Sequence, residues 1–122
     1  GVAHVIDILP TCLEVADASY PEEINGGKTS APSGKSLLPQ LAGTTKNTHD
    51  TLYWEHEGGR AIRMGDWKMS ALPGKSWELF NLAEDHTEIN NLSGKYTEKV
   101  ETMNRAWEKW ATKTGVKTIN QY

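Results

Sequence analysis

Between Thr51 and Phe80 the chain reverses direction every few residues, and no other feature constrains its fold as tightly. Thr51-Leu52-Tyr53-Trp54-Glu55-His56 is aromatic-rich and strand-like, and Gly58-Gly59 can supply the positive φ angles of a tight hairpin turn. Arg60-Ala61-Ile62-Arg63-Met64 alternates as a second strand, Gly65-Asp66 makes a turn, and Trp67-Lys68-Met69-Ser70 continues as a third. Pro73-Gly74 turns the chain again before Ser76-Trp77-Glu78-Leu79-Phe80. Strands joined by such short turns form an antiparallel meander, and a meander needs a cover for its apolar face. The cover is the segment from about 96 to 113, where Tyr96, Val100, Met103, Trp107 and Ala111 share one helical face while Glu98, Lys99, Glu101 and Lys109 point elsewhere; Gly115 stops it. The fold class expected is α+β: a four-stranded antiparallel sheet packed against a C-terminal helix, preceded by a helix and a long loop.

The earlier half is poorer in pattern. Ile8, Leu9, Cys12, Leu13 and Ala16 form an apolar helical stripe, with Asp7 placed to cap it and Pro10 in the first turn, where a missing N–H costs nothing. Cys12 within that stripe reads as a buried structural residue, having no basic neighbour to activate its thiol. Asp17 to Lys35 is Gly, Pro, Ser, Asn and charge, a surface connection. Ser36 to Leu41 can make one helical turn before Gly43, and polar residues from Thr44 to Asp50 form another loop. Farther on, Asp85-His86-Thr87-Glu88 has capping-box spacing and starts a short turn through Asn91.

With 122 residues, 37% of them hydrophobic, the chain can bury one core of ordinary size. Thirteen basic against sixteen acidic residues, net −3, remove the electrostatic footprint of a nucleic-acid binder. The longest apolar run, broken at Asp7, falls far short of the roughly 20 residues of a membrane span, so no membrane partner is expected. One cysteine and four histidines without His-Glu-x-x-His spacing leave little for a protein-only metal site. Gly34-Lys35-Ser36 and Gly74-Lys75-Ser76 resemble the tail of a phosphate-binding loop, but Thr29 and Met69 stand where its earlier glycine belongs, so both read as turns. The five tryptophans fit a core better than a sugar-stacking platform. What remains is the ionisable cluster Glu55-His56-Glu57 with Arg60 and Arg63 after the turn: either a solvated hairpin tip whose charges pair, or a histidine oriented by carboxylates beside guanidinium groups suited to sulfate, phosphate or carboxylate.

Four segments carry a family resemblance. They are His4-Val5-Ile6-Asp7-Ile8-Leu9-Pro10-Thr11 with Leu13-Glu14-Val15-Ala16; Gly34-Lys35-Ser36-Leu37-Leu38-Pro39 with Leu41-Ala42-Gly43; Trp54 to Arg63 with Gly65-Asp66-Trp67-Lys68; and Trp77 to Leu82 with Asp85, Thr87-Glu88 and Asn90-Asn91-Leu92. In this order they resemble the C-terminal portion of a formylglycine-dependent sulfatase, of the arylsulfatase branch of the alkaline-phosphatase-like superfamily. The resemblance implies that residues 1–50 are the end of the catalytic domain and a connecting loop, and 51–122 a small C-terminal sheet-plus-helix subdomain. It implies a sulfuric ester hydrolase as parent, with the rest of the catalytic domain as partner and a sulfated small molecule or glycan as substrate. No cofactor is expected in this stretch; calcium and formylglycine belong to an upstream part, since no Cys-x-Pro-x-Arg sequence is present and Cys12 is followed by Leu13-Glu14. The chain alone is then expected to be inactive, completing a substrate pocket only in the longer protein, of which the opening Gly1-Val2-Ala3-His4 reads as an internal cut. His56, Arg60 and Arg63 are the substrate-binding residues so implied, His56 donating to a sulfate oxygen or the leaving group while Glu55 or Glu57 keeps it partly protonated. Periplasmic or secreted localisation follows from the same resemblance. In the sequence Asp17-Ala18 stands where the family often ends its helix with glycine. The alternative is an autonomous carbohydrate-binding or structural interaction module.

Overall fold

The computed structural model describes residues 1–44 and 47–117, and the chain divides into two compact units, Gly1–Asp50 and Thr51–Tyr122. The second unit is the meander. Strands β3 (Thr51–His56), β4 (Gly59–Met64), β5 (Trp67–Ala71) and β6 (Glu78–Asn81) lie in that order in one antiparallel sheet; β1 (Glu23–Ile24) and β2 (Gly27–Lys28) belong to the first unit. The hairpin register pairs His56 with Gly59 and Glu55 with Arg60. The turn is therefore Glu57-Gly58 rather than Gly58-Gly59, with φ of 49° and 83° at its two central residues. Both angles are positive, as in a type I′ turn, whose backbone twist matches that of the strands it joins. Gly59 is instead a strand residue, and a Cβ there would sit 3.1 Å from the His56 carbonyl oxygen.

Alternation gives the sheet its core face. Ile62, Met69 and Leu79 are fully buried, each a cross-strand neighbour of the next, and helix α3 (Thr97–Thr114) covers them with Met103, Trp107 and Ala111. This is the stripe expected from the sequence, and Gly115 ends it in the left-handed conformation at φ 72°. Trp107 donates its indole N–H to the Trp54 carbonyl at 3.1 Å and meets Trp77 edge-on at 5.8 Å, while Tyr53 stacks on Trp110 at 5.1 Å. The outer edge of β6 is closed by the segment after it: Leu79 donates its amide to Asn91 Oδ1 and accepts from the Leu92 amide. The turn expected from Asp85 is an irregular loop, organised by the Asp85 carboxylate, which accepts from the Asn90 amide at 2.8 Å. Amide donation by Asn90 lowers the Asp85 pKa, against the upward push of desolvation.

The first unit is built differently. A 3-10 turn at Val5–Asp7 runs into α1 (Ile8–Val15); Asn25-Gly26 turns a two-strand ribbon of β1 (Glu23–Ile24) and β2 (Gly27–Lys28), inside what the sequence presents as one loop; α2 (Leu38–Leu41) is a single turn. Of the polar loop expected over 44–50, Thr45 and Lys46 lie outside the described residues. Asp7 is fully buried and does not cap α1 through its side chain. Its carboxylate accepts instead from the His4 amide at 2.9 Å, the Lys35 amide at 2.8 Å and His49 Nε2 at 2.6 Å. Thr11 adds a second tie, donating to the Asp7 carbonyl and accepting from the Leu37 amide at 2.9 Å. Lys35 of the Gly34-Lys35-Ser36 turn thus gives its amide to the Asp7 carboxylate rather than to a phosphate. Gly34 has to be glycine, since a Cβ there would lie 2.0 Å from the Ile6 carbonyl oxygen.

Around this polar lock the apolar side chains face outward. Val5, Ile8, Leu9 and Val15 are 70%, 57%, 46% and 68% exposed, and α1 contains no buried residue. Cys12 is exposed, contrary to the expectation from its stripe, because no element among the described residues buries that stripe. Asp17 adopts the left-handed conformation, φ 49°, that a glycine at this helix end would take without strain.

Burial pushes the Asp7 carboxyl up, but donation by the Lys35 amide, His49 and the His4 amide outweighs it, and its pKa lies below the ordinary 3.8. A depressed carboxyl pKa stabilises the fold fully above the unfolded value and loses that contribution as pH falls through the folded one. Asp7→Asn is therefore expected to cost about 3 kcal/mol at neutral pH, since it leaves three buried donors facing an uncharged amide. In urea titrations the gap from wild type should narrow once the pH drops below 3.8.

Candidate functional site

The hairpin tip presents two surfaces, set by strand alternation. His56 pairs with Gly59 and Arg63 with Leu52, on the face away from α3. Arg60 pairs with Glu55 and Ala71, on the face that α3 covers. The structure therefore does not bring His56, Arg60 and Arg63 to one point. His56 and Arg63 share a face but stand four residues apart along it, roughly 13 Å. Glu55 is on the opposite face from His56, so it does not orient the imidazole; its carboxylate accepts from the Gly58 amide at 2.8 Å. Glu57 occupies the turn itself and is exposed. The exposed His56 side chain has no hydrogen-bond or ion-pair partner among the described residues.

Arg63 is used locally, donating from Nε to the Gly65 carbonyl at 2.9 Å across the next turn. Arg60 is held by rings. Its guanidinium lies 4.4 Å from the Trp77 centroid and 5.8 Å from that of Trp107, and it donates to the Lys75 carbonyl. Guanidinium seated on an aromatic face keeps its charge while its direction is fixed. Beside it opens a cleft of about 490 Å³, with Trp107, Ala111 and Val116 as apolar surface and Arg60, Lys75 and Lys117 as cations. Glu55 and Glu108 also line it, so the cleft offers both donors and acceptors. That chemistry suits a ligand bearing an anionic group and hydroxyls. Lys75, Lys117 and the indole of Trp107 are contributions the sequence reading missed; the alternation that puts Arg60 beside Ile62 on the covered face was the available signal.

Among the described residues, no three His, Cys, Asp or Glu side chains gather to hold a metal ion. No helix among them is long and apolar enough to cross a membrane.

No family model matches the chain. An uncharacterized sulfatase of Schizosaccharomyces pombe is 32% identical over 121 residues, covering 93% of this chain and 22% of that protein. Arylsulfatase K of Xenopus laevis is 28% identical over 122 residues, 85% of this chain and 21% of its own length. The chain thus spans about a fifth of the length of these relatives. Among solved structures, a 2-O GAG sulfatase matches with a TM-score of 0.67 and 27% identity over 90% of this chain and 25% of that one. Ps i-CgsB, crystallised with k-i-k-neocarrahexaose, matches with a TM-score of 0.65 and 27% identity over 86% of this chain and 23% of that one.

The tight turn below His56 offers a direct check on this geometry. Glu57 holds a left-handed angle that costs a side-chain-bearing residue about 1 kcal/mol and that Asn or Gly tolerates better. Glu57→Asn is expected to raise stability by up to about 1 kcal/mol in thermal unfolding, with the two-residue turn retained.

Proposed function

We propose that this chain, which belongs to the sulfatase family, forms the C-terminal portion of a formylglycine-dependent sulfatase, inert alone and completing the substrate pocket of the longer enzyme. The observation that carries this reading is the outward apolar face of the first unit, with Val5 70%, Ile8 57% and Val15 68% exposed. An apolar helix face left uncovered in solution is unfavourable by about 25 cal/mol per Å². In a chain spanning 22% of its relative's length, the rest of the catalytic domain is the natural occupant. The reaction proposed for that enzyme is sulfate-ester hydrolysis, with a sulfated small molecule or glycan as substrate.

In this reading the calcium and formylglycine sites lie outside this stretch of the enzyme. Cys12 stands in Cys12-Leu13-Glu14 within a regular helix, and no acidic cluster of ligating spacing is present among the described residues. Those groups belong to the remainder of the proposed enzyme. What this stretch contributes is binding. His56, projecting from a strand end with its ring uncommitted, donates a hydrogen bond to a sulfate oxygen or to the leaving-group oxygen. As an imidazolium it donates from both nitrogens and adds charge. Arg60, fixed on Trp77 on the opposite face, adds positive charge that draws the anionic substrate toward the same end of the sheet. Arg63, tied to Gly65, holds the far turn and takes no direct part.

His56→Ala in the full-length enzyme is expected to lower kcat/KM by about ten- to a hundredfold, the loss of one charge-assisted hydrogen bond of about 1.5 to 3 kcal/mol. Its unfolding temperature should be unchanged, because the side chain is exposed and unpartnered. An unchanged kcat/KM in a folded variant removes His56 from the site.

A further inference from the structure

We propose that the opposite end of the sheet carries a second ligand site, for an acidic saccharide. Met64 and Trp67 flank the Gly65-Asp66 turn, a full strand length, roughly 17 Å, from the His56 hairpin tip. With Lys95, Tyr96, Lys99 and Thr102 they line an open cavity of about 590 Å³, a size that accepts a small sugar.

The charges carry the argument. Lys99 Nζ lies 4.7 Å from the Trp67 ring centroid and Lys95 Nζ 5.3 Å from that of Tyr96, and the two rings meet at 65° with centroids 5.2 Å apart. An aromatic face attracts an ammonium through its quadrupole and fixes it, but leaves its charge unneutralised. Neither lysine has a carboxylate partner among the described residues, whereas Lys68, on the other face, is paired with Glu88 at 2.6 Å. Two held cations against the one carboxylate of Glu98 leave the cavity with a positive excess that favours an anion. The remaining lining makes that anion a polyol rather than a flat aromatic acid. The ammonium groups occupy ring faces that such an acid would stack on, while the Glu98 carboxylate accepts from hydroxyls and Thr97 offers a hydroxyl of its own. The anion is a sulfate ester or a carboxylate, and both present the same oxygens to an ammonium.

An NMR titration of the full chain tests this, using a sulfated disaccharide, a uronic-acid disaccharide and a neutral disaccharide of equal length. The expected result is saturable shifts of the amides from Lys95 to Met103 with an anionic sugar and none with the neutral one. Whichever anion binds more tightly names the source. Affinity should fall about tenfold in Lys95→Ala and again in Lys99→Ala, recover in Lys99→Arg, and weaken with added salt. Equal shifts with the neutral sugar, shifts confined to the Arg60 cleft, or unchanged affinity in the alanine variants with native spectra would overturn the assignment.

Discussion

The indole of Trp107 is the contact on which the second unit depends. A four-stranded sheet cannot keep one face apolar without a cover, and here a single helix supplies it. Trp107 is the largest side chain at that seam, 8% exposed, with its N–H given to the Trp54 carbonyl and its ring edge on Trp77. Burial of an indole this complete corresponds to about 3–5 kcal/mol on truncation to alanine. The same ring also forms part of the cleft beside Arg60, so the residue that joins helix to sheet shapes the surface where an anion is expected to bind. Fold stability and site geometry are not separable in this unit.

The first unit inverts that design. Its best-buried group is a carboxylate, satisfied by donors from residues 3, 28 and 42 positions away, while Val5, Ile8, Leu9 and Val15 remain in water. A charge-centred lock holds chain segments together without a hydrophobic core, because each donor loses its partner if the carboxylate leaves. It presents the outer face of α1 in a defined orientation, and that face is available to be buried by something else.

The strands and the long helix were legible because their periods are local: alternation from Thr51 onward and the Met103, Trp107, Ala111 stripe need no knowledge of the rest of the chain. Gly115 read correctly as a stop for the same reason. The hairpin turn came out one residue displaced, since Gly58-Gly59 offers two glycines and the cross-strand register, which gives Glu57 the strained angle, is not written in the local sequence. The displacement leaves the faces unchanged: in either register Arg60 lies on the side of Glu55 and opposite His56, so alternation alone parts the two. Asp7 was read as a helix cap because its nearest amides are helical; its actual partners, Lys35 and His49, are distant in sequence, and spacing carries no information about them. Cys12 was placed inside because a stripe implies a cover, but the stripe says nothing of whether the cover lies in the same chain.

Amide hydrogen exchange along α1 tests the proposed docking most directly, comparing the 122-residue chain with the longer sulfatase of which it is proposed to be a part. Docking predicts that the amides of the last turn of α1, from Cys12 to Ala16, exchange at least about a hundredfold more slowly in the longer protein, because its apolar face is then covered and helix opening requires undocking. Equal exchange rates in the two would mean that the face stays in water in the intact enzyme, and would contradict the proposed place of this segment in the catalytic domain.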